Sequence, residues 1–285
     1  MQKVAVLGST GMAGHVIALY LEEQGYDVYR VSRSQQPGPK SIAIDVRDFA
    51  SLADWLDKVS PDIIVNCIGV LQRTSQEQPD LAILINSYLP HWLEKRYASS
   101  QTRIIQLSTD CVFSGKRGKY KEDDFRDGDT IYDRTKALGE IINKKDLTFR
   151  MSIIGPDMHP DGTGLFNWFM KQTGVISGYK KAIWNGITTI ELARGIDAAI
   201  KQDICGLYQL VPQTQIDKYT LLCLFKKVFE RDDIYITENY EVILDKSLVN
   251  TRNDFNYTIR SYEEQIKDMK LWIENHRELY RHYFR

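Results

Sequence analysis

The chain is predicted to adopt an α/β fold, a doubly wound parallel sheet carrying a smaller C-terminal subdomain. Three observations predict it. Val4-Ala5-Val6-Leu7, an all-apolar run of strand length, enters Gly8-Ser9-Thr10-Gly11-Met12-Ala13-Gly14, and a helical pattern follows to Gln24. Strand-length and helix-length apolar patterns then alternate through the first half, as βαβ units require. Two turns of small and polar residues, Asn66-Cys67-Ile68-Gly69 and Ser108-Thr109-Asp110, fall where strands should end. Ligands of open α/β sheets sit at the carboxyl ends of the strands.

Each element has its own warrant. Gly8 allows the tight first turn, Gly11 a close approach of backbone to a pyrophosphate, and Gly14 a helix lying near the sheet. Thr10 and Met12 belong to the same turn, whose helix N-terminus offers free N–H groups to phosphate. The second strand, Asp27–Val31, ends in Arg30-Val31-Ser32-Arg33 with no carboxylate to hold a ribose 2′-hydroxyl. Arg33 suits a 2′-phosphate instead, which favours NADPH with NADH still open; a solvated surface arginine is the plain alternative. Ser41–Asp45 reads as the third strand, placing Asp45 and Val46 beside an adenine, and a helix follows from Phe49 to Lys58. The fourth strand, Asp62–Asn66, delivers Asn66, Cys67, Ile68 and Gly69 to the cofactor side. One long helix is expected from Pro79 to about Ser99, with Asn86 either bonding to a packed helix or bracing an active-site lysine. Arg103–Leu107 is the fifth strand.

Composition narrows the function classes. Among 285 residues the 37 basic and 38 acidic side chains nearly balance, and no basic run suggests nucleic acid. The apolar stretches are far too short for a membrane span. A strand beginning at Lys3 leaves no room for a signal peptide, so a cytoplasmic location is expected, and Cys67, Cys111, Cys205 and Cys223 are read as reduced thiols. No carboxylate cluster argues for a metal.

Tyr132 and Lys136 lie in a helical run, Ile131 to Glu140, and residues four apart share a helix face. An ammonium beside a phenol lowers the phenol's pKa and lets it exchange protons near neutral pH. A surface lysine beside a half-buried tyrosine has the same spacing, so the pair gains meaning only from what precedes it.

The motifs Gly8-x-x-Gly11-x-x-Gly14, Asn66-Cys67-Ile68-Gly69, Ser108-Thr109-Asp110-Cys111-Val112-Phe113, Tyr120-x-Glu122-x-Asp124 and Tyr132-x-x-x-Lys136 follow the order of the extended short-chain reductases. Over roughly the first 210 residues the chain resembles the dTDP-4-dehydrorhamnose reductase family, nucleotide-sugar 4-keto reductases. Gly178–Ile183 and Asp245-Lys246-Ser247-Leu248 resemble a narrower branch, the UDP-2-acetamido-2,6-dideoxy-hexos-4-ulose reductases of surface polysaccharide pathways.

The resemblance implies an NAD(P)-binding Rossmann domain over 1–150 and a substrate-binding part over 151–285, with about 187–212 returning to the first. It implies that Tyr132 donates a proton to the new alkoxide, that Lys136 lowers the Tyr132 pKa and holds the nicotinamide ribose, and that Thr109 bonds the substrate carbonyl. Asn86 joins the cofactor set through the relay. Gln72, Asp110, Tyr120, Trp168, Trp184 and Thr188 are the expected substrate contacts, although Thr188 or Thr189 equally suits a helix cap and most of the aromatics suit a core. The expected ligand is a nucleotide sugar, with a monomer or homodimer as the assembly. Two other readings share the fold. One is a nucleotide-sugar epimerase or 4,6-dehydratase; dehydratases of this superfamily carry an Asp-Glu pair after the threonine, where this chain has Asp110-Cys111. A cofactor-sensing regulatory subunit, of the kind found with methionine adenosyltransferase, would not need Thr109, Tyr132 and Lys136 together.

Overall fold

The computed structural model describes residues 1–284. The first half runs β1 (Lys3–Leu7), α1 (Met12–Glu23), β2 (Asp27–Ser32), β3 (Ser41–Ala43), α2 (Phe49–Val59), β4 (Ile63–Asn66), α3 (Gln72–Glu77), α4 (Pro79–Ala82), α5 (Leu89–Tyr97), β5 (Arg103–Thr109), α6 (Ile131–Leu138) and β6 (Leu147–Met151). Then follow β7 (Ile153–Ile154), α7 (Leu165–Lys171), β8 (Gly174–Tyr179), β9 (Ala182–Trp184), β10 (Ile187–Thr188), α8 (Thr189–Lys201) and β11 (Gly206–Gln209). The last elements are β12 (Ile216–Asp217), α9 (Lys218–Val228), β13 (Ile234–Asn239), β14 (Leu244–Asp245) and α10 (Tyr262–Asn275).

Seven strands form the central sheet in the order β11-β6-β5-β4-β1-β2-β3, every pair parallel. The doubly wound parallel sheet is therefore present. Its chain order reverses between β1 and β4, so the turns after Leu7 and after Asn66 lie side by side at the crevice. Strand alternation sends Val4 and Val6 to one face with α1 and α8, and Ala5 and Leu7 to the other with α2 and α5. Helix α8 packs on α1, and Tyr26 bonds across to Asp197 of α8 at 2.8 Å.

The smaller lobe uses short sheets: β12-β9-β14, and the parallel pair β8 and β13. Helices α7, α9 and α10 pack with them around Phe166, Phe169 and Phe225.

The long helix expected from Pro79 is interrupted by a π-helical turn over Ile83–Tyr88. Proline supplies the reason. Pro90 has no N–H for the Asn86 carbonyl four residues back, and its ring would crowd that oxygen. Widening the turn relieves the clash and turns Asn86 toward α6. The final helix, α10, stops at Asn275, and a single 3₁₀ turn follows at Arg281–Tyr283.

Candidate active site

The glycine turn is built as its spacing requires. Gly8 takes φ +82°, and a Cβ on it would come within 2.9 Å of Ile68. Gly14 is the tighter case: a Cβ there would sit 2.1 Å from the Gly8 carbonyl oxygen, so only glycine lets α1 close onto the turn. The first turn of α1 has no acidic residue and its Gly11 cap offers no side chain. Its N–H groups and positive dipole end remain open to an anion.

From this turn a cleft of about 410 Å³ crosses the switch point, lined by Gly8, Thr10, Gly11, Arg33, Asp45, Val46, Cys67, Ile68 and Gly69 among others. Nine of the predicted cofactor residues thus share one cavity. At its far end Thr10 donates to the Ser32 hydroxyl at 3.0 Å and meets Ser34 at 3.2 Å. Arg47, which the sequence reading passed over, grips the Asp45 carboxylate through Nε and Nη2 at 3.0 and 2.6 Å. That contact holds the Asp45 carboxyl below the usual range. Arg33 and Arg47 both line the same end of the cleft.

Asn66 and Asn86 do not line the cavity; they shape its walls. Fully buried Asn66 donates to Gln106 at 2.8 Å and accepts from the Ile68 N–H at 3.2 Å. Asn86 accepts from the Val70 N–H at 2.8 Å and donates to Thr135 on α6 at 3.1 Å. This last bond packs the π turn against α6. Met12 points instead toward Gly164, where a Cβ would lie 3.0 Å from its sulfur.

Thr109, at the end of β5, meets Tyr132 from α6. A capping box starts this helix, with Thr130 accepting from the Asp133 N–H at 3.1 Å and Asp133 from the Thr130 N–H at 3.3 Å. The box puts Tyr132 in the first turn, with its phenol beside the Thr109 hydroxyl. Burial pushes the phenol's pKa up, Cys111, Asp110 and Asp133 add to the rise, and the Thr109 bond opposes it. Lys136 donates to the Leu107 carbonyl at 2.7 Å. Burial lowers its pKa to about 8, while Glu140 and Cys67 favour the charged form. The ammonium is thus anchored between β5 and the cleft wall at Cys67. With its ammonium on the Leu107 carbonyl, Lys136 makes no hydrogen bond to the phenol among the described residues.

A buried ion network supports this group. Glu140 accepts from Arg150 Nε and Nη2, both at 2.8 Å, from Ser108 at 2.7 Å and from Arg126 at 2.7 Å. Gly139 brings α6 against the π turn, since a Cβ there would sit 1.8 Å from the Asn86 carbonyl oxygen.

The predicted substrate residues divide. Asp110 accepts from Thr109 at 3.1 Å, burial raising its pKa, and Gln72 reaches the neighbouring Cys111 sulfur at 3.8 Å. These two join the Thr109 group. Tyr120 is a core residue, 3% exposed and stacked on Phe113 at 4.2 Å. Its backbone clasps the segment after β14 through Ser247 and Val249. Thr188 caps α8, accepting from the Glu191 N–H at 3.2 Å. Trp168 lies on α7, 39% exposed, and none of its ring contacts tie it to Thr109. Trp184 is buried on β9 under the Lys218 ammonium, 4.5 Å from the ring centre.

Two further residues escaped the sequence reading. Lys218 carried no motif. His15 lies just past the glycine turn; Nδ1 meets the Gly11 carbonyl at 2.8 Å and Nε2 the Tyr280 hydroxyl at 2.6 Å. A carbonyl only accepts, so Nδ1 carries the proton and Tyr280 donates to Nε2. Trp272 then donates to the Tyr280 oxygen at 3.0 Å. No local spacing could announce a bond spanning 265 positions.

Known proteins resemble the chain at two levels. The dTDP-4-dehydrorhamnose reductase of Streptomyces griseus is 29% identical over 137 residues, 47% of this chain and 42% of that protein. Methionine adenosyltransferase 2 subunit beta of Xenopus laevis is 26% identical over 140 residues, 49% of this chain and 42% of that protein. These alignments thus span under half the length of both relatives. The solved dTDP-4-dehydrorhamnose reductase of Bacillus anthracis, in complex with NADP, superposes with a TM-score of 0.81 at 18% identity, covering 95% of this chain and 99% of that one. At that identity the likeness establishes the fold. The family described as RmlD substrate binding domain matches residues 1–154, more than half of the sequence and all of the cleft and the Thr109–Tyr132–Lys136 group, and the chain belongs to that family.

Proposed function

We propose that the protein reduces the 4-keto group of a nucleotide-activated deoxysugar with NADPH, in polysaccharide biosynthesis and in the cytoplasm. One observation carries this reading: Thr109, Tyr132 and Lys136 converge at the carboxyl end of β5, beside a cleft shaped for a dinucleotide. Gly8, Thr10, Gly11 and the N-terminus of α1 would hold the pyrophosphate, and Arg33, Arg47, Ser32 and Ser34 would surround a 2′-phosphate. Bound NADPH supplies the hydride.

The chain's own residues do the rest. Thr109 orients the sugar carbonyl by turning its one hydroxyl proton from Asp110 to the substrate oxygen. Tyr132, kept protonated by its burial, gives its proton to the oxygen that becomes the alkoxide. Lys136, fixed by Leu107, presents its ammonium toward the cleft wall and the ribose. Acid catalysis of this kind contributes about 10²- to 10⁴-fold. The residue after Asp110 is Cys111, whose thiol is pushed up to about 12 by burial, so the chain has no carboxylate for the second half of a dehydratase pair.

The test is NADPH oxidation with dTDP-4-keto-L-rhamnose and with a UDP-2-acetamido-2,6-dideoxy-4-keto-hexose in parallel. Turnover of either supports the reductase, and the ratio of kcat/KM identifies the branch. Tyr132→Phe should lose nearly all turnover and still bind NADPH; turnover equal to wild type would remove Tyr132 from the mechanism. A second reading rests on the methionine adenosyltransferase relative: a non-catalytic cofactor-binding subunit. NADP(H) binding without oxidation by either sugar would favour it.

A further inference from the structure

Lys218 opens α9, at the end of a helix where a positive charge is disfavoured. Its acidic neighbour does not compensate. Asp217 caps the helix, accepting from Thr220 through both the N–H and the hydroxyl at 2.8 Å, and its other contact is Lys180 at 3.4 Å. The Lys218 ammonium lies over the buried face of Trp184, 4.5 Å from the ring centre. Its electrostatic neighbours are Asp110 and Cys111. Burial brings its pKa down to about 8. No acceptor oxygen is bonded to it among the described residues. A half-buried ammonium left in this way is costly unless an anion arrives.

A second cation faces the same spot. Lys246, just past β14, also acts on Asp110 and on Cys111. Its stem lies beside Gly115, where a Cβ would come within 2.8 Å of Lys246 Cγ. The short β12-β9-β14 sheet therefore brings Trp184, Lys218 and Lys246 to the side of Asp110. Both lysines act on Asp110, which already accepts from Thr109, and the other carboxylate near Cys111, Asp133, is engaged at the cap of α6. Neither ammonium is bonded to an acceptor oxygen among the described residues, and these unused donors are the surplus.

The order of groups gives the surplus a direction. Thr109 would hold the sugar carbonyl, and Asp110 stands next to it as an acceptor. On a deoxysugar the neighbour of C4 that offers a hydroxyl is C3; the other side leads to a methyl group. The ring then runs from Thr109 past Asp110 toward the two lysines, with C1 and its phosphate at that end. We propose that Lys218 and Lys246, braced by Trp184, form the subsite for the glycosyl diphosphate of the substrate. This proposal rests on the nucleotide-sugar reading of the site.

The experiment is calorimetric titration of the NADP-loaded protein with UDP and with dTDP. Wild type is expected to bind one of them, more weakly as salt rises. Lys218→Gln and Lys246→Gln should each weaken that binding roughly ten- to hundredfold, the worth of a charge-assisted hydrogen bond. Lys218→Arg should retain most of it. NADPH affinity serves as the control for the fold and should not move, while the thermal midpoint of Lys218→Gln should hold or rise, since a costly charge is gone. Unchanged diphosphate affinity in Lys218→Gln overturns the proposal, as does a wild type that binds neither nucleotide. Keto-sugar turnover by wild type together with unchanged UDP and dTDP affinity in both lysine variants would refute this subsite alone. Absent turnover would count against the reductase itself.

Discussion

Replacing Arg150 with methionine tests how the site is held. Arg150 and Glu140 are both fully buried, joined by two parallel bonds of 2.8 Å. The guanidinium also lies over Phe113, 5.0 Å from the ring centre. Burial alone would raise the Glu140 carboxyl, yet Arg150, Ser108 and Arg126 together hold it below the usual range. Removing one partner of a buried pair costs about 3–5 kcal/mol, because the other charge stays behind. Methionine fills much of the volume but leaves Glu140 with Ser108 and with Arg126, which is 38% exposed. That residual pairing puts the expected loss near the lower bound, about 3 kcal/mol. Such a loss is a large share of the roughly 5–15 kcal/mol that holds a domain together. Urea unfolding followed by tryptophan fluorescence would measure it. The Arg150→Met/Glu140→Gln double variant should be more stable than Arg150→Met alone by at least about 1 kcal/mol, since the stranded charge is gone. A single-variant loss below about 1 kcal/mol, or no recovery in the double, would refute the account.

Three other outcomes are expected. Gly139→Ala would drive a methyl into the Asn86 carbonyl oxygen, a backbone atom that cannot give way, and shift α6 with Tyr132 and Lys136. Turnover should fall about 10²-fold with NADPH affinity little changed, and wild-type kcat would contradict it. Lys136 titrates at about 8 in the fold against 10.5 when free, so the folded chain sheds this proton first and stability from this group rises from pH 8 upward. Lys136→Met should therefore be more stable than wild type at pH 7, with the gap closing toward pH 10 in urea melts at stepped pH; a constant gap argues against a buried charge. His15, lowered by burial from 6.5 to about 4, works in the opposite pH range. The unfolded chain takes up this proton first as pH falls, so stability drops between pH 6.5 and 4, and His15→Gln should flatten that stretch of the curve.

The first half of the fold was legible because its signals are local. Gly8 and Gly14 meet steric demands within one turn, and the all-apolar strand Val4–Leu7 is central. Thr109, Tyr132 and Lys136 were legible because strand end and helix face are positions that spacing defines. The role of Asn86 was not, because it depends on Pro90 forcing a π turn that helical periodicity does not register. Tyr120 looked like a substrate contact, yet it packs on Phe113, a partner chosen by the tertiary fold. Lys218 was invisible for the same reason: its meaning comes from Asp110, more than a hundred positions earlier, and from Trp184 on another strand. Helix spacing puts Lys136 near Tyr132 but cannot say that the Leu107 carbonyl takes its ammonium.

The His15–Tyr280–Trp272 chain of bonds joins the helix after the glycine turn to the stretch after α10. During synthesis His15, just past the glycine turn, leaves the ribosome 265 residues before Tyr280 does. Until then the His15 ring has no hydroxyl to accept from, and the turn it steadies through Gly11 is held at one end only. A partly made chain can thus lay down its central sheet early and still lack a finished dinucleotide seat. Nucleotide affinity, measured on chains stalled at increasing lengths, becomes a clock for the arrival of Tyr280.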